Sequence, residues 1–420
     1  MRLLEIACGL GGLFLLPIIY PILLLLNSKG SFLSVAPRTG RFFLGLIRGR
    51  ARPSTHSTHS TYSGGTQLET LPEDVQVGRN RTNALTNSSR IAKAAKVRNF
   101  LTVDVECWFH AYNIGDKIPR NTWHLQETQI LQTMDRLLLM LQAHETKATF
   151  FVLGWVADHF PEVVRMIATE GHEIGTHGYH HELITRMTPQ EFETDLLRSL
   201  EAINRNTSQE VLGHRASNFT VVKDTLWALE ILAKNGIRYD SSIFPIARKR
   251  YGIPTYPYRY PHTLRMPDGR ALIELPLSTT KLGSKLLPVA GGGYFRLYPY
   301  NITEAYIEKT NQRGLPAMVY LHPWELDVDQ ARFFLGPAKT FQHYVNLEST
   351  ERKLDRLLEH FSFGSIKQGL PPVRDLIRES VVSLSEIYDD ADAVLPNLRW
   401  MRGRRSKDAL EEAELSALVD

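Results

Sequence analysis

Cysteine is nearly absent from this chain of 420 residues, in which Cys8 and Cys107 are the only two. Because Cys8 lies in an apolar leader, no disulfide can form within the folded part of the chain alone, and the fold must rest on its hydrophobic core. The composition agrees with this, since 43% of the residues are hydrophobic and 22% are charged, as in globular proteins.

Signatures of nucleotide and nucleic-acid binding are missing as well. No Gly-x-Gly-x-x-Gly or P-loop pattern follows the first predicted strand, and the glycine run at 291–293 lacks the lysine that a phosphate-binding loop needs. Zinc-finger spacing, an RNP-type aromatic strand and a basic heptad region are all absent from the sequence. The net charge of +4 comes largely from basic stretches near the two ends. We therefore expect no nucleic-acid partner.

The N-terminal region differs in composition from the rest. Residues 3–26 are almost wholly apolar and just long enough to cross a bilayer, and basic residues follow between 29 and 52. We predict a transmembrane helix or signal anchor at 1–30 in a bacterial inner membrane, with the charge pattern favouring a cytoplasmic domain; a cleaved leader is the alternative. Residues 31–94, basic and then rich in Ser, Thr and His, are predicted to form a flexible linker.

Apolar strands alternate with amphipathic helices from residue 97 onward. Strands are predicted at 100–105, 148–153, 173–176, 211–215, 272–277 and 317–322. One helix has Ile130, Leu131, Met134, Leu137, Leu138 and Leu141 on a single face, and another begins at the capping box that Thr188 opens. Single-helix connections predict an α/β class with parallel strands. Few residues beyond 363 follow the apolar pattern of a buried core, so residues 364–420 are predicted to form a helical or disordered tail.

Polar residues lie at the ends of three predicted strands. His177 and His181, four residues apart, follow one strand; Asp104 and Glu106 end another, and His322 ends a third. The carboxyl ends of parallel strands gather at one edge, so the two imidazoles could share a metal ion with one carboxylate while the other acts as a base. The alternatives are a surface histidine pair, a solvated strand end and a core histidine. The pattern favours metal-assisted hydrolysis.

Six segments in order carry a family resemblance. They are VDVECWFH at 103–110, THGYHHEL at 176–183, GHRASNF at 213–219, YDSSIFP at 239–245, PVAGGGYFRLYPY at 288–300 and LHPWELD at 321–327. Over residues 95–363 the chain resembles the polysaccharide deacetylases of the NodB-homology, carbohydrate esterase family 4 type, in particular the subgroup found with exopolysaccharide and exosortase gene clusters. The resemblance implies a distorted (β/α) barrel of fewer than eight parallel strands, a divalent metal, usually Zn²⁺, and an acetylated polysaccharide as substrate.

The resemblance also implies a role for each motif residue. The implied metal ligands are Glu106, His177 and His181. The implied catalytic residues are Asp104 as base, Arg215 orienting it and His322 as general acid. Asp240 falls at the position of the fourth motif's aspartate, and we expect it to keep the imidazole of His322 charged and oriented. Two positions depart from the family pattern. Ser217 stands where relatives have a proline, which removes a rigid turn near Arg215, and Cys107 stands where relatives often have an acid.

Three aromatic residues near these motifs, Trp108, Tyr294 and Trp324, are candidates to stack on sugar rings, with core packing as the alternative. The expected function is metal-dependent removal of N-acetyl or O-acetyl groups from a polysaccharide, such as a bacterial exopolysaccharide or its lipid-linked precursor. One rival is a non-catalytic, membrane-tethered glycan-binding module on the same fold. A glycosidase using Asp104 and Glu325 is the other, but glycosidases need no histidine pair.

Overall fold

The computed structural model describes residues 97–115, 117–248, 250–282, 285–289 and 291–389. The membrane segment predicted at 1–30 and the linker predicted at 31–94 lie outside these residues. Among the residues that are described, no helix combines the length and the apolar character needed to cross a bilayer.

Strands and helices alternate along the chain. The strands are β1 (Asn99–Val105), β2 (Thr149–Val152), β3 (Glu173–Thr176), β4 (Gly213–His214), β5 (Tyr239–Asp240), β6 (His262–Arg265), β7 (Ala271–Glu274), β8 (Thr279–Leu282), β9 (Lys285–Pro288), β10 (Met318–Leu321), β11 (Phe363–Gly364) and β12 (Val381–Ser383). The α-helices are α1 (Tyr112–Gly115), α2 (Ile130–Ala143), α3 (Gly154–His159), α4 (Pro161–Thr169), α5 (Pro189–Asn204), α6 (Trp227–Lys234), α7 (Gly292–Leu297), α8 (Tyr300–Asn311), α9 (Pro337–Tyr344), α10 (Thr350–His360), α11 (Ile366–Gly369), α12 (Arg374–Glu379) and α13 (Leu384–Asp389). Short 3₁₀ helices lie at Trp108–His110, Arg120–Leu125, Ile184–Arg186, Ser217–Phe219, Lys223–Thr225, Pro323–Leu326, Leu347–Ser349 and Pro371–Val373.

The main sheet is mostly parallel. Its order is β10-β1-β2-β3-β4-β5-β7-β6-β12, with β11 also paired to β1, and every neighbouring pair from β10 to β7 is parallel. Only β6 pairs antiparallel within it, against β7. Beyond β7, the Ser278 hydroxyl accepts a hydrogen bond from the Met318 N–H of β10 (2.8 Å). The predicted α/β class with parallel strands is confirmed.

Strand alternation divides the core into two layers. Along β1 all residues are buried, as expected for a parallel strand covered on both faces. Phe100, Thr102 and Asp104 share one face because side chains alternate along a strand. Phe100 packs with Phe151, Tyr239, Ile273 and Met318 in the cluster on this face of the sheet. A second cluster packs helices α5 and α6 against the sheet.

Two helix predictions can be compared with the structure directly. Helix α2 buries Ile130, Met134, Leu137, Leu138 and Leu141 as predicted, but Leu131 is 36% exposed and lies off the buried face. Helix α5 has the predicted capping box, in which the Glu191 N–H donates to the Thr188 hydroxyl (3.3 Å) and the Thr188 N–H donates to the Glu191 carboxylate (2.8 Å).

The fold continues past the predicted boundary at residue 363. Strand β12 pairs with β6, and Ile366, Leu370, Ile377, Val382 and Leu384 are buried in the two core clusters. Residues 364–389 are therefore part of the folded domain rather than a tail. The sequence hid this because each short element here contributes only one or two apolar residues, too few for a periodic pattern.

Candidate metal centre

Glu106, His177 and His181 come together at the carboxyl ends of β1 and β3. One ligand atom from each lies within 4.8 Å of the others. Glu106 directly follows β1 and lies two residues beyond Asp104, so both carboxylates extend from the same face of the strand. Glu106 and His177 are each 2% exposed and His181 is partly buried, so the three groups converge in a largely buried site.

The loop after β3 turns back on itself around Asp195 of helix α5. The Asp195 carboxylate accepts the backbone N–H groups of Tyr179 (2.7 Å) and His180 (3.2 Å). Gly178 makes the turn possible, because it has a φ of +73° and a Cβ there would lie 2.9 Å from the Asp195 carboxylate. His181 also has a positive φ, 53°, an uncommon conformation for a non-glycine residue. The loop thereby brings His181 back beside His177.

The imidazole of His177 has one nitrogen available for a metal. Its Nδ1 lies 2.8 Å from the carbonyl oxygen of Arg215, and because a carbonyl can only accept, Nδ1 carries the hydrogen. Burial lowers the pKa of His177 to about 4, so the ring is neutral near pH 7. Nε2 therefore keeps a free lone pair.

The carboxylate of Glu106 has one satisfied oxygen and one orphaned oxygen. Oε1 accepts the indole N–H of Trp324 (2.9 Å). Oε2 is buried and receives no directed hydrogen bond, although it lies 2.7 Å from His181 Nε2. Burial raises the pKa of Glu106, but the neighbouring imidazoles of His181, His322 and His177 lower it further, so the carboxylate is ionised. A buried anionic oxygen that faces imidazole nitrogens fits a divalent cation with N and O ligands, such as Zn²⁺.

Asp104 lies beside this triad and is held by Arg215. Its Oδ1 accepts a hydrogen bond from the guanidinium (2.7 Å), which also donates to the Thr102 hydroxyl (2.7 Å). The hydroxyl and carbonyl oxygens of Ser241 accept from the other guanidinium nitrogens at 2.9 and 3.1 Å. Arg215 is fully buried, and its charge lies 4.4 Å from the centre of the Phe151 ring. Its position therefore fixes one oxygen of Asp104 and leaves Oδ2 open.

The missing proline after Arg215 is replaced by other restraints. The Ala216 N–H donates to the Ser242 hydroxyl (2.7 Å), and the Ser217 hydroxyl donates to the His177 carbonyl (3.5 Å). Asn218 and Phe219 then turn the chain through positive φ values of 54° and 56°. Hydrogen bonds from the segments that follow β3 and β5 thus restrain the backbone that a proline would stiffen.

His322 completes the group from the end of β10. Its Nε2 lies 3.6 Å from Glu106 Oε1 and 3.8 Å from Asp104 Oδ2, and its Nδ1 lies 2.6 Å from Glu325 Oε1. Burial lowers the pKa of His322, but Glu106, Glu325 and Asp104 outweigh it and raise the pKa to about 9. The imidazole is therefore protonated near neutral pH and directs Nε2 towards the carboxylates.

Asp240 does not have the position expected of it. Its Oδ1 lies 2.6 Å from His214 Nδ1, its Oδ2 accepts the Ser242 N–H (3.1 Å), and Glu325 takes the place beside His322. The reason is strand alternation, because Tyr239 packs into the same cluster as Phe100, so Asp240 faces the opposite side of the sheet. The prediction that Asp240 orients His322 is wrong.

The aromatic candidates have little free ring surface. Trp108 is 3% exposed, donates its indole N–H to the Glu127 carbonyl (3.0 Å) and stacks on Phe333. Trp324 is 7% exposed and holds Glu106 instead of facing solvent. Tyr294 is half-buried, and its hydroxyl accepts from Arg248 Nε (3.3 Å). Cys107 is buried and free, and burial raises the pKa of its thiol, so it has the character of a packing residue.

The sequence does not predict the positions of three residues around the site: Asp195, Glu325, and Arg296, whose Nε donates to the Glu325 carboxylate (2.6 Å). Glu325 had a local signal, because it lies three residues after His322 and accepts the His322 N–H (3.1 Å), as in a capping box. Asp195 and Arg296 had none, since each acts across a distance in sequence that no periodicity reports.

Two family models match adjacent segments of the chain. Residues 126–239 match the model described as polysaccharide deacetylase, and residues 241–370 match a domain of unknown function, DUF3473. A peptidoglycan-N-acetylglucosamine deacetylase of Bacillus cereus is 39% identical over 75 residues, which cover 18% of this chain and 27% of the relative. A peptidoglycan deacetylase of Helicobacter pylori is 36% identical over 108 residues, which cover 26% of this chain and 36% of the relative.

The chain therefore spans between about a quarter and a third of the length of these two relatives. Among solved structures, the family 4 carbohydrate esterase from Streptomyces lividans is 13% identical, with a TM-score of 0.35 over 64% of this chain and 91% of that one. Over residues 126–239, the chain is therefore similar to the polysaccharide deacetylase family.

Proposed function

We propose that this protein is a hydrolase that removes acetyl groups from an acetylated polysaccharide with the help of a divalent metal. The observation that carries the proposal is the convergence of Glu106, His177 and His181 within 4.8 Å, with Asp104 and His322 beside them. Such a set offers ligands, a base and an acid in one buried place.

Glu106, His177 and His181 would hold the metal. When bound, a divalent ion supplies polarisation of the acetyl carbonyl and lowers the pKa of a coordinated water from 15.7 towards about 7. The orphaned Oε2 of Glu106 and the neutral ring of His177 suit this role, because metal ligands must be deprotonated. Zn²⁺ is the ion that we propose.

Asp104 is proposed as the general base. Arg215 occupies Oδ1 and leaves Oδ2 to accept the proton of the attacking water. The water oxygen bonds to the acetyl carbon as its proton passes to Asp104.

His322 is proposed as the general acid. Its Nδ1 is engaged by Glu325, so Nε2 is the nitrogen that faces the reacting group. When the carbon–nitrogen bond breaks, Nε2 donates its proton to the departing sugar amine, and acetate and a free amine result. For an O-acetyl substrate the same proton goes to the departing sugar oxygen.

The proposal also names a class of substrate and a cellular location. Relatives named as peptidoglycan and chitooligosaccharide deacetylases support an N-acetylated glycan. The proposed substrate is an exopolysaccharide or its lipid-linked precursor, and the apolar residues 3–26 support anchoring in a bacterial inner membrane. We assign the linker to 31–94 and the catalytic domain to the residues from 95 onward.

Acetate release from N-acetylated oligosaccharides by the purified protein tests the proposal. We expect release to stop with a chelator and to return when Zn²⁺ is added. Asp104→Asn should bind metal but release no acetate, whereas Asp135→Asn, the same change on the exposed face of α2, should match the wild type. Chelator-resistant release, shortened chains, or glycan binding without acetate release would each contradict the proposal.

A further inference from the structure

We propose that the region of unknown function at 241–370 supplies the proton-donating half of the site, and that a buried Glu325–Arg296 ion pair within it positions His322. This inference rests on the proposed function. Glu325 and Arg296 are positioning residues, because they act on the imidazole and not on the substrate.

The region is part of the main sheet rather than an appended module. Strands β7 and β10 lie within it, and β10 pairs with β1 from Phe100↔Met318 to Val103↔Leu321. The proposed ligands Glu106, His177 and His181 all precede residue 241, whereas His322 follows it. His177 and His181 lie in the segment that matches the polysaccharide deacetylase model, His322 lies in the segment that matches DUF3473, and Glu106 precedes both.

A chain of short contacts runs from His322 into the interior. Glu325 Oε1 lies 2.6 Å from His322 Nδ1, and Oε2 accepts Arg296 Nε at 2.6 Å. Arg296 also donates to the carbonyl oxygens of His343 (2.6 Å) and Val345 (3.0 Å), where helix α9 ends. Glu325 is fully buried and Arg296 is 2% exposed.

Burial fixes the orientation of the Glu325 carboxylate relative to Arg296. A carboxylate without solvent needs a counter-charge and satisfied lone pairs, and the planar guanidinium fixes the plane in which Glu325 accepts. The Trp324 ring lies 5.3 Å from the His322 ring at an interplanar angle of 24°, and it stacks at 4.7 Å on His343. The imidazole is thus restrained on one edge by a carboxylate and on one face by an indole, and Nε2 is left for the substrate.

Two acetyl substrates with different leaving groups distinguish a variant that misplaces the general acid from a variant that is merely less stable. An N-acetylated oligosaccharide releases an amine that must be protonated, whereas 4-nitrophenyl acetate releases a phenolate that needs no proton. Glu325→Gln should lower kcat for the oligosaccharide about 100-fold or more, the usual contribution of a general acid, with KM unchanged. Hydrolysis of the aryl ester and the bound Zn²⁺ should stay at wild-type levels.

Arg296→Lys, which keeps the charge but loses the Nε donor, should give a smaller loss with the same selectivity for the oligosaccharide. The matched control is Glu274→Gln, a fully buried glutamate in the same region that does not contact His322. It should leave the ratio of the two activities unchanged.

Equal losses on both substrates, a change confined to KM, or no change for Glu325→Gln would overturn the inference. If Glu325→Gln fails to fold, the ratio measured for Arg296→Lys decides. A wild-type protein that releases no acetate from any oligosaccharide refutes the proposed function instead, so the two failures are distinguishable.

Discussion

Replacing Trp324 with phenylalanine should weaken metal binding without unfolding the protein. The indole N–H donates to Oε1 of Glu106 at 2.9 Å, and the ring stacks on His343. Phenylalanine keeps an aromatic ring in the stack but has no donor. Glu106 would then be free to rotate away from the geometry in which Oε2 faces His181.

The magnitude follows from the charge of the acceptor. A hydrogen bond to a charged group contributes about 1.5–3 kcal/mol, and since 1.4 kcal/mol is a factor of ten, its loss corresponds to roughly 10–100-fold in affinity. Loss of a partner that orients a metal ligand typically costs about 10–100-fold as well. We therefore expect the dissociation constant for Zn²⁺ to rise by about 10–100-fold in Trp324→Phe.

Competition with a chromogenic chelator measures this constant, and a thermal melt of the metal-free protein checks the fold. The control is Trp108→Phe, which also loses an indole hydrogen bond, here to the neutral Glu127 carbonyl, and leaves the bond to Glu106 intact. An unchanged dissociation constant in Trp324→Phe, or an equal rise in both variants, would refute the reasoning.

Three further outcomes are expected. Asp240→Asn should lower the urea midpoint, because it weakens a buried contact with His214, while kcat keeps its order of magnitude; a collapse of kcat with unchanged stability would contradict this. A chain ending at residue 363 should not fold cooperatively in a urea titration, because it lacks β12 and the buried residues before it, whereas one ending at 389 should. Burial and the nearby Asp268 raise the pKa of Glu230 from 4.5 to about 7, so the folded state retains a proton that the unfolded state has lost, and stability falls as pH rises through that window. Glu230→Gln should therefore melt higher than the wild type above pH 7 and equally below pH 4.5, and equal melting points throughout would contradict this.

The sequence predicts those parts of the fold that have a local pattern. All six predicted strands exist, because buried parallel strands are short apolar runs bounded by turns. The convergence of His177 and His181 with an acidic strand end also followed from the common edge at which parallel strands end, whereas the family resemblance singled out Glu106 rather than Asp104 as the ligand. What the sequence does not state is which face a very short strand presents. Strand β5 has two residues, so no alternation exists to show that Asp240 faces away from His322.

Partners that meet across the fold were beyond prediction. Arg296 reaches Glu325 over 29 residues of sequence, and nothing in its helix distinguishes it from a solvated arginine. Strands β6 and β12 were missed for a similar reason, because each has only three or four residues and its pairing is set by the sheet. The ligand residues could thus be predicted from local sequence patterns, whereas the residues that orient them are known only from the folded structure.

The position of β1 between β10 and β2 has a consequence for how the protein is made. The backbone of β1 meets that of β10 across 218 residues of chain. During synthesis, one edge of β1 therefore stays unpaired until most of the chain has left the ribosome. An unpaired apolar strand edge is prone to aggregation. We expect folding to be slow for this reason, and catalytic competence to arise late, when β10 docks and carries His322 to the other residues.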